Sequence, residues 1–77
     1  MSPRELKACK AKADHIATKL KKIREEKEIS KNELSQRTGL ARSAILRIET
    51  AQRSPSLLNV LKLCHGLEIT IEELLSE

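Results

Sequence analysis

Residues 30–49 read SKNELSQRTGLARSAILRIE, and their order decides the fold. Ser30-Lys31-Asn32-Glu33 sets a capping hydroxyl three residues ahead of a glutamate, a reciprocal cap at a helix start. The helix it opens is predicted to run to about Arg37. Thr38-Gly39-Leu40 then places glycine where a chain leaves a helix in the left-handed conformation, which residues with a Cβ resist. A second short helix is predicted from about Ala41 to Thr50. Its spacing sends Ala44, Ile45 and Ile48 to the core and leaves Arg42, Ser43, Leu46 and Arg47 on the other side.

The same signals recur on both flanks. Ser2-Pro3-Arg4-Glu5 combines a capping serine, proline at the first helical position and a glutamate three after the cap. Leu6, Cys9, Ala13, Ile16, Leu20 and Ile23 then form one apolar seam on a helix reaching about Glu28. Asp14 could instead cap a separate helix beginning at His15; the unbroken seam favours the long one. Downstream, Arg53-Ser54-Pro55 reads as a loop. Ser56 caps a fourth helix with Leu57, Val60, Leu61 and Cys64 inward, and Gly66 weakens its last turn. Thr70-Ile71-Glu72-Glu73 repeats the box ahead of a short helix carrying Ile71, Leu74 and Leu75. No segment alternates as a strand does. The expectation is an all-α fold of five helices: residues 1–14 as a helical extension, residues 15–77 as the domain, and its central two-helix unit at about 30–50.

Composition narrows the function. The chain has 77 residues, so it forms one small domain with a marginal core. It contains no Phe, Tyr or Trp, so the core is aliphatic, and stacking platforms for single-stranded nucleic acid are missing. No apolar run approaches the ~20 residues of a membrane span, and nothing reads as a signal peptide, so a cytoplasmic location is expected. Cys9 and Cys64 make no disulfide framework. His15 and His65 lie near them in sequence, but Cys64 and His65 point ~100° apart on a helix and suit a shared metal poorly, so neither metal nor cofactor is expected. Two isolated glycines build no phosphate loop, and the histidines lack catalytic partners by any motif. Catalysis is not expected.

Charge is more informative. Residues 1–53 hold 14 basic and 7 acidic side chains, net +7, whereas residues 54–77 hold Lys62 against four glutamates, net −3. One basic end suggests a surface for a polyanion, although a charge run is often only a solvated face. The capped helix, short glycine turn and second helix outline a helix-turn-helix, which presents its second helix to a major groove ~12 Å wide. Two outward arginines there suit the paired acceptors O6 and N7 of guanine.

From Ile16 to Leu75 the chain resembles the phage-repressor/Cro-type (xenobiotic-response-element) helix-turn-helix family. The matching text is LKKIREEKEISKNELSQRTGLARSAILRIE and RSPSLLNVLKLCHGLEITIEELL. The resemblance implies a five-helix, lambda-repressor-like DNA-binding domain, acting as a dimeric transcriptional repressor on a partly palindromic operator. Carried over by position, Arg42, Ser43 and Arg47 are base-reading residues. Ala41 starts the recognition helix, and Leu46 either meets a thymine methyl or stays a half-exposed leucine. Lys31, Gln36 and Arg53 match backbone-contacting positions, with plain solvated surface as the alternative. Arg24 and Glu49 match an ion pair tying the first helix to the end of the recognition helix. Three positions depart from the family pattern. Thr50-Ala51 replaces a helix-ending glycine, so an altered turn is expected there. Glu68 replaces a glycine cap, and Ser35 replaces a usual alanine.

The seam of Leu6, Cys9 and Ala13 lies outside this resemblance. It is either a dimer or partner contact or a frayed, exposed helix. Leu58 and Leu75 are further candidates for a dimer interface near the C-terminus. Small proteins of this type also serve as antitoxins that cover a protein toxin and repress their own promoter, and the N-terminal helix would then be the toxin's docking site. That is the alternative to a stand-alone bacterial or phage-type regulator associated with the nucleoid.

Overall fold

The computed structural model describes residues 1–76 as five helices in the order α1 (Pro3–Glu26), α2 (Lys31–Thr38), α3 (Arg42–Glu49), α4 (Leu57–Leu67) and α5 (Ile71–Leu75). Their starts follow from side-chain chemistry. Ser2, Ser30, Ser56 and Thr70 each accept a hydrogen bond from the backbone N–H three residues on. Such caps satisfy donors that a helix start leaves open. Only Thr70 completes the reciprocal box, with Glu73 reaching back to its N–H. At Ser30 the expected partner, Glu33, turns to Arg37 instead, 2.8 Å away. The first helix is continuous through Asp14, whose carbonyl also accepts from the Thr18 hydroxyl at 3.0 Å.

The helix ends share a less obvious device. Glu28, Ala51 and Glu68 all adopt left-handed backbone, with φ of 58°, 60° and 58°. Immediately after each, an N–H reaches back five residues: Ile29 to Arg24, Gln52 to Arg47, Ile69 to Cys64. These are Schellman closures, in which glycine is the usual left-handed residue. Here residues with a Cβ take that position. Ala51 and Glu68, two of the three departures from the family pattern, therefore keep the turn geometry at a local conformational cost of about 1 kcal/mol each. Gly39, at φ 77°, ends α2 without that cost.

Leu20, Ile29, Leu34, Ile45, Ile48, Leu63, Cys64, Leu67 and Leu74 form one buried aliphatic cluster, with Ile16, Ile23, Leu40, Val60, Ile69 and Ile71 packed around it. The helix α2 packs on α3 and α4, while α1 packs on α3 and α5. The inward stripe of α4 differs from expectation. Val60, Leu63, Cys64 and Leu67 line it, whereas Leu57 is 72 % and Leu61 46 % exposed. The reason is register. Leu63 and Leu67 follow Val60 at +3 and +7, and Leu61, one residue past Val60, is turned about 100° from it; Leu57 is the first residue of α4 and stays exposed at the helix start. Leu75 is likewise exposed, and Leu74 takes the buried place beside it. Ala44 is only half-buried.

Gly66 is a packing glycine rather than a weak point. It is buried, and a Cβ built there would lie 2.7 Å from Thr38 Cγ2 and 3.0 Å from Leu34 Cδ1. The Thr38 rotamer is held in turn, because its hydroxyl donates to the Leu34 carbonyl at 2.8 Å. The absence of a side chain lets α4 lie close against α2, and Arg37 seals the contact by donating to the Gly66 carbonyl at 2.9 Å. At the other end, Lys19 of α1 bonds the Ser76 carbonyl and hydroxyl, holding the chain beyond α5.

Two glycine exchanges should therefore act oppositely. Glu68→Gly is expected to raise stability by about 0.5–1 kcal/mol, and Gly66→Ala to lower it by about 1–3 kcal/mol through overpacking. Urea titrations of the two variants check the signs. The cysteines should also separate. Burial, followed by the charge of Glu73, raises the Cys64 thiol pKa, and Cys9 is exposed. At neutral pH iodoacetamide should label Cys9 alone until the protein unfolds. The raised value means that the unfolded thiol loses its proton first. The Cys64 contribution to stability is thus complete below the unfolded range and declines as pH rises through it.

Candidate nucleic-acid interface

The third helix is held from behind. Ile45 and Ile48 are fully buried, and Glu49 at its last turn meets Arg24 of α1. Arg24 Nε donates to Glu49 Oε2 at 2.7 Å and Nη2 to Oε1 at 3.1 Å, a two-pronged pair. The remaining prong, Nη1, donates to the Ile29 carbonyl at 2.9 Å. One guanidinium thus joins the end of α1, the loop before α2 and the end of α3. Both residues are under a tenth exposed, and no buried side-chain polar atom among the described residues lacks a partner. The hydrogen bond to Glu49 raises the Arg24 pKa more than burial lowers it, so the guanidinium stays charged.

The turn between α2 and α3 is fastened by short polar links. Ser35 Oγ donates to the Leu40 carbonyl at 2.5 Å, and the Leu40 N–H donates to Thr38 Oγ1 at 3.2 Å. Serine in place of a small apolar residue therefore gives the turn one more hydrogen bond. With its inner face and both ends fixed, α3 presents Arg42, Ser43, Leu46 and Arg47 to solvent, all exposed. Leu46 is 47 % exposed, an apolar side chain standing among polar ones. Ala41, also exposed, occupies the N-cap and supplies no capping oxygen.

The backbone-type residues divide. Lys31, at the first turn of α2 and half-buried, lines one surface hollow with Arg42, Ser43 and Leu46. Helix α2 thus brings a cation onto the outer face of α3. Gln36 is exposed on α2 and is not among the residues lining that hollow. Arg53 lies beyond the other end of α3. Its N–H and that of Gln52 donate to the Arg47 carbonyl at 3.2 and 2.8 Å. Its side chain lines a separate cleft with Ala13, Asp14 and Pro55.

One positioning residue was not foreseen. Arg37 ties α2 to α4 through the Gly66 carbonyl, and its only signal in the sequence is the four-residue spacing from Glu33. Chemically, the α3 face offers planar guanidinium donors, a hydroxyl and a methyl-bearing side chain on one rigid helix, the inventory that reads base edges in a major groove.

Removing one partner of the buried pair should be severe. Glu49→Gln is expected to cost about 3–5 kcal/mol, because it strands a charged guanidinium in the interior. The double replacement Arg24→Met with Glu49→Leu should lose much less. Equilibrium denaturation of both variants tests the ordering.

Comparison with known proteins gives a consistent result. A family model described as helix-turn-helix matches residues 20–74. The control protein C.MunI of a Mycoplasma species is 40 % identical over 63 residues, covering 80 % of this chain and 85 % of that protein. The crystal structure of the restriction-modification controller protein C.AhdI from Aeromonas hydrophila is similar at a TM-score of 0.78 and 36 % identity. It covers 83 % of this chain and 97 % of that one.

Proposed function

Because this chain belongs to the helix-turn-helix family of DNA-binding transcriptional regulators, we propose that it is a control protein of a restriction-modification system. It acts as a homodimer that represses from a partly palindromic operator. The observation that carries the reading is the convergence of Lys31 with Arg42, Ser43 and Leu46 on the solvent face of a helix locked from behind. The names of the two relatives supply the biological setting.

In this reading α3 lies in the major groove. Arg42 and Arg47 donate to guanine edges, Ser43 bonds a base edge, and Leu46 packs on a thymine methyl. Ala41, bearing only a methyl, lets the start of α3 approach the bases. Lys31 and Arg53 neutralise phosphates and Gln36 donates a hydrogen bond to one, so the three supply affinity and register rather than sequence discrimination. The acidic C-terminal third faces away from the DNA. Residues 1–14 stand outside the DNA-reading domain. Among the described residues no helix is long and apolar enough to cross a membrane.

Selection of the purified protein against random duplex DNA tests the proposal. It should return a palindrome with half-sites about one helical turn, ~34 Å, apart, bound at least ~10³-fold more tightly than scrambled DNA. That palindrome should occur beside endonuclease and methyltransferase genes in the source genome. Enrichment of no sequence would overturn the regulator assignment. On the selected site Arg47→Ala should cost about 1–3 kcal/mol, with little change on random DNA. Lys31→Ala should weaken binding to both and reduce the salt slope by about one. Titrations at two salt concentrations separate the two behaviours.

A further inference from the structure

Where α1 passes the loop that leaves α3, the molecule is hollow. A cleft of about 210 Å³ opens there between α1, the 51–55 loop and the start of α4. The α1 wall is low because Ala13 and Ala17, four residues apart on one side of the helix, carry only methyl groups. Leu20 and Ile48, at 2 % and 1 % exposed, form the floor, so the cleft reaches the aliphatic core. Pro55 and Val60 close the side toward α4.

The rim carries both signs of charge. Asp14 on α1 and Arg53 on the loop are exposed, and both line the cleft. They form no ion pair with each other or with another described residue. Their surroundings are basic. Lys10 and Lys21, one turn before and two turns after Asp14 on the same side of α1, are exposed, as is Arg47. Glu49 is withdrawn into its pair with Arg24. An anion at the Arg53 end therefore meets reinforcing charge, and Asp14 is the one carboxylate among the described lining residues that can receive a cation. The loop is anchored as well, because the N–H groups of Gln52 and Arg53 donate to the Arg47 carbonyl.

An apolar cavity of ~150 Å³ holds a ligand the size of benzene, so this cleft suits one of about nine non-hydrogen atoms. Its hydrocarbon part belongs on the floor of Leu20 and Ile48. Its head must carry a cation and an anion close together. A free aliphatic α-amino acid has that arrangement, since ammonium and carboxylate share one carbon and a branched side chain projects from it.

We propose that the cleft between α1 and the 51–55 loop binds a free aliphatic α-amino acid of leucine size. Asp14 accepts hydrogen bonds from the ammonium, Arg53 donates to the carboxylate, and the side chain lies against Leu20, Ile48 and Val60. Both polar contacts are charge-assisted, and neither requires an existing ion pair to break. The site stands on the cleft alone. Its consequence for DNA rests on the reading above, in which Arg53 neutralises a phosphate. A guanidinium held by the ligand is withdrawn from that phosphate, so occupancy weakens the DNA complex. By linkage, DNA weakens ligand binding by the same factor.

NMR titration of the isotope-labelled full-length chain with L-leucine, without DNA, tests the site. The amide signals of Ala13, Ala17, Ala51 and Ser54 should shift and saturate, with a dissociation constant of about 0.1–1 mM. Isocaproate lacks the ammonium and isoamylamine lacks the carboxylate, so each should bind ~10-fold or more weakly. Asp14→Asn should lose a similar factor for L-leucine but not for isocaproate. Ala13→Leu, at an exposed position outside the DNA-facing residues, should fill the cleft and abolish the shifts while far-UV circular dichroism stays unchanged. No saturable shift up to about 10 mM, shifts confined to other residues, or full binding by Ala13→Leu would overturn the site. Equal affinity for isocaproate would overturn the zwitterion as its ligand. On the selected duplex, saturating L-leucine should weaken binding ~3–10-fold and lower the salt slope by about one. Unchanged duplex affinity with leucine bound would overturn the competition for Arg53. The titration needs no DNA, so a failed operator selection and an empty cleft are separate results.

Discussion

The pair between Arg24 and Glu49 is the constraint on which the geometry of α3 depends. Aliphatic contacts such as those of Ile45 and Ile48 are strong but non-directional, and an eight-residue helix held by them alone can rotate or slide. Three directional hydrogen bonds from one guanidinium remove that freedom by joining α1, the 27–30 loop and the end of α3. Buried ion pairs add little net stability over apolar packing of similar shape. The return here is orientation, since charge-assisted bonds in a two-pronged geometry fix both the rotation and the position of α3.

The rest of the structure serves the same end. Ser35 and Thr38 hold the turn entering α3, and Schellman closure at Ala51 folds Gln52 and Arg53 back onto its last carbonyls. Gly66 lets α4 support α2 from behind, and Arg37 bonds across that contact. With α3 braced on its inner side and at both termini, its outer side is left for Arg42, Ser43, Leu46 and Arg47, which make no structural contribution to the core. The domain thereby separates the residues that hold it together from those available to a ligand.

The helix starts were legible from the sequence because capping is local. Ser2, Ser30, Ser56 and Thr70 act on backbone groups three residues away, and no distant partner can alter that relation. The period of Ile45 and Ile48 likewise identified the two faces of α3. The inward stripe of α4 was not legible in the same way. Leu57, Leu58, Leu61, Leu63 and Leu67 are alike in hydrophobicity, so the run supports more than one stripe, and only the position of the neighbouring helices selects among them. Gly66 was misread for a related reason. An isolated glycine in a helix weakens it locally, and its value appears only when Thr38 and Leu34 of another helix stand where a Cβ would be.

By itself, then, the sequence determined the number of helices, their boundaries to within about two residues, the basic front and acidic back, and the outward residues of α3. Each depends on neighbours within one or two turns. The tertiary structure alone decided that Lys31 joins Arg42, Ser43 and Leu46 while Arg53 turns to a different cleft, that Arg37 bridges α2 to α4, and which leucines of α4 remain bare. These outcomes depend on how helices cross, and crossing is set by the summed packing of side chains far apart in the chain.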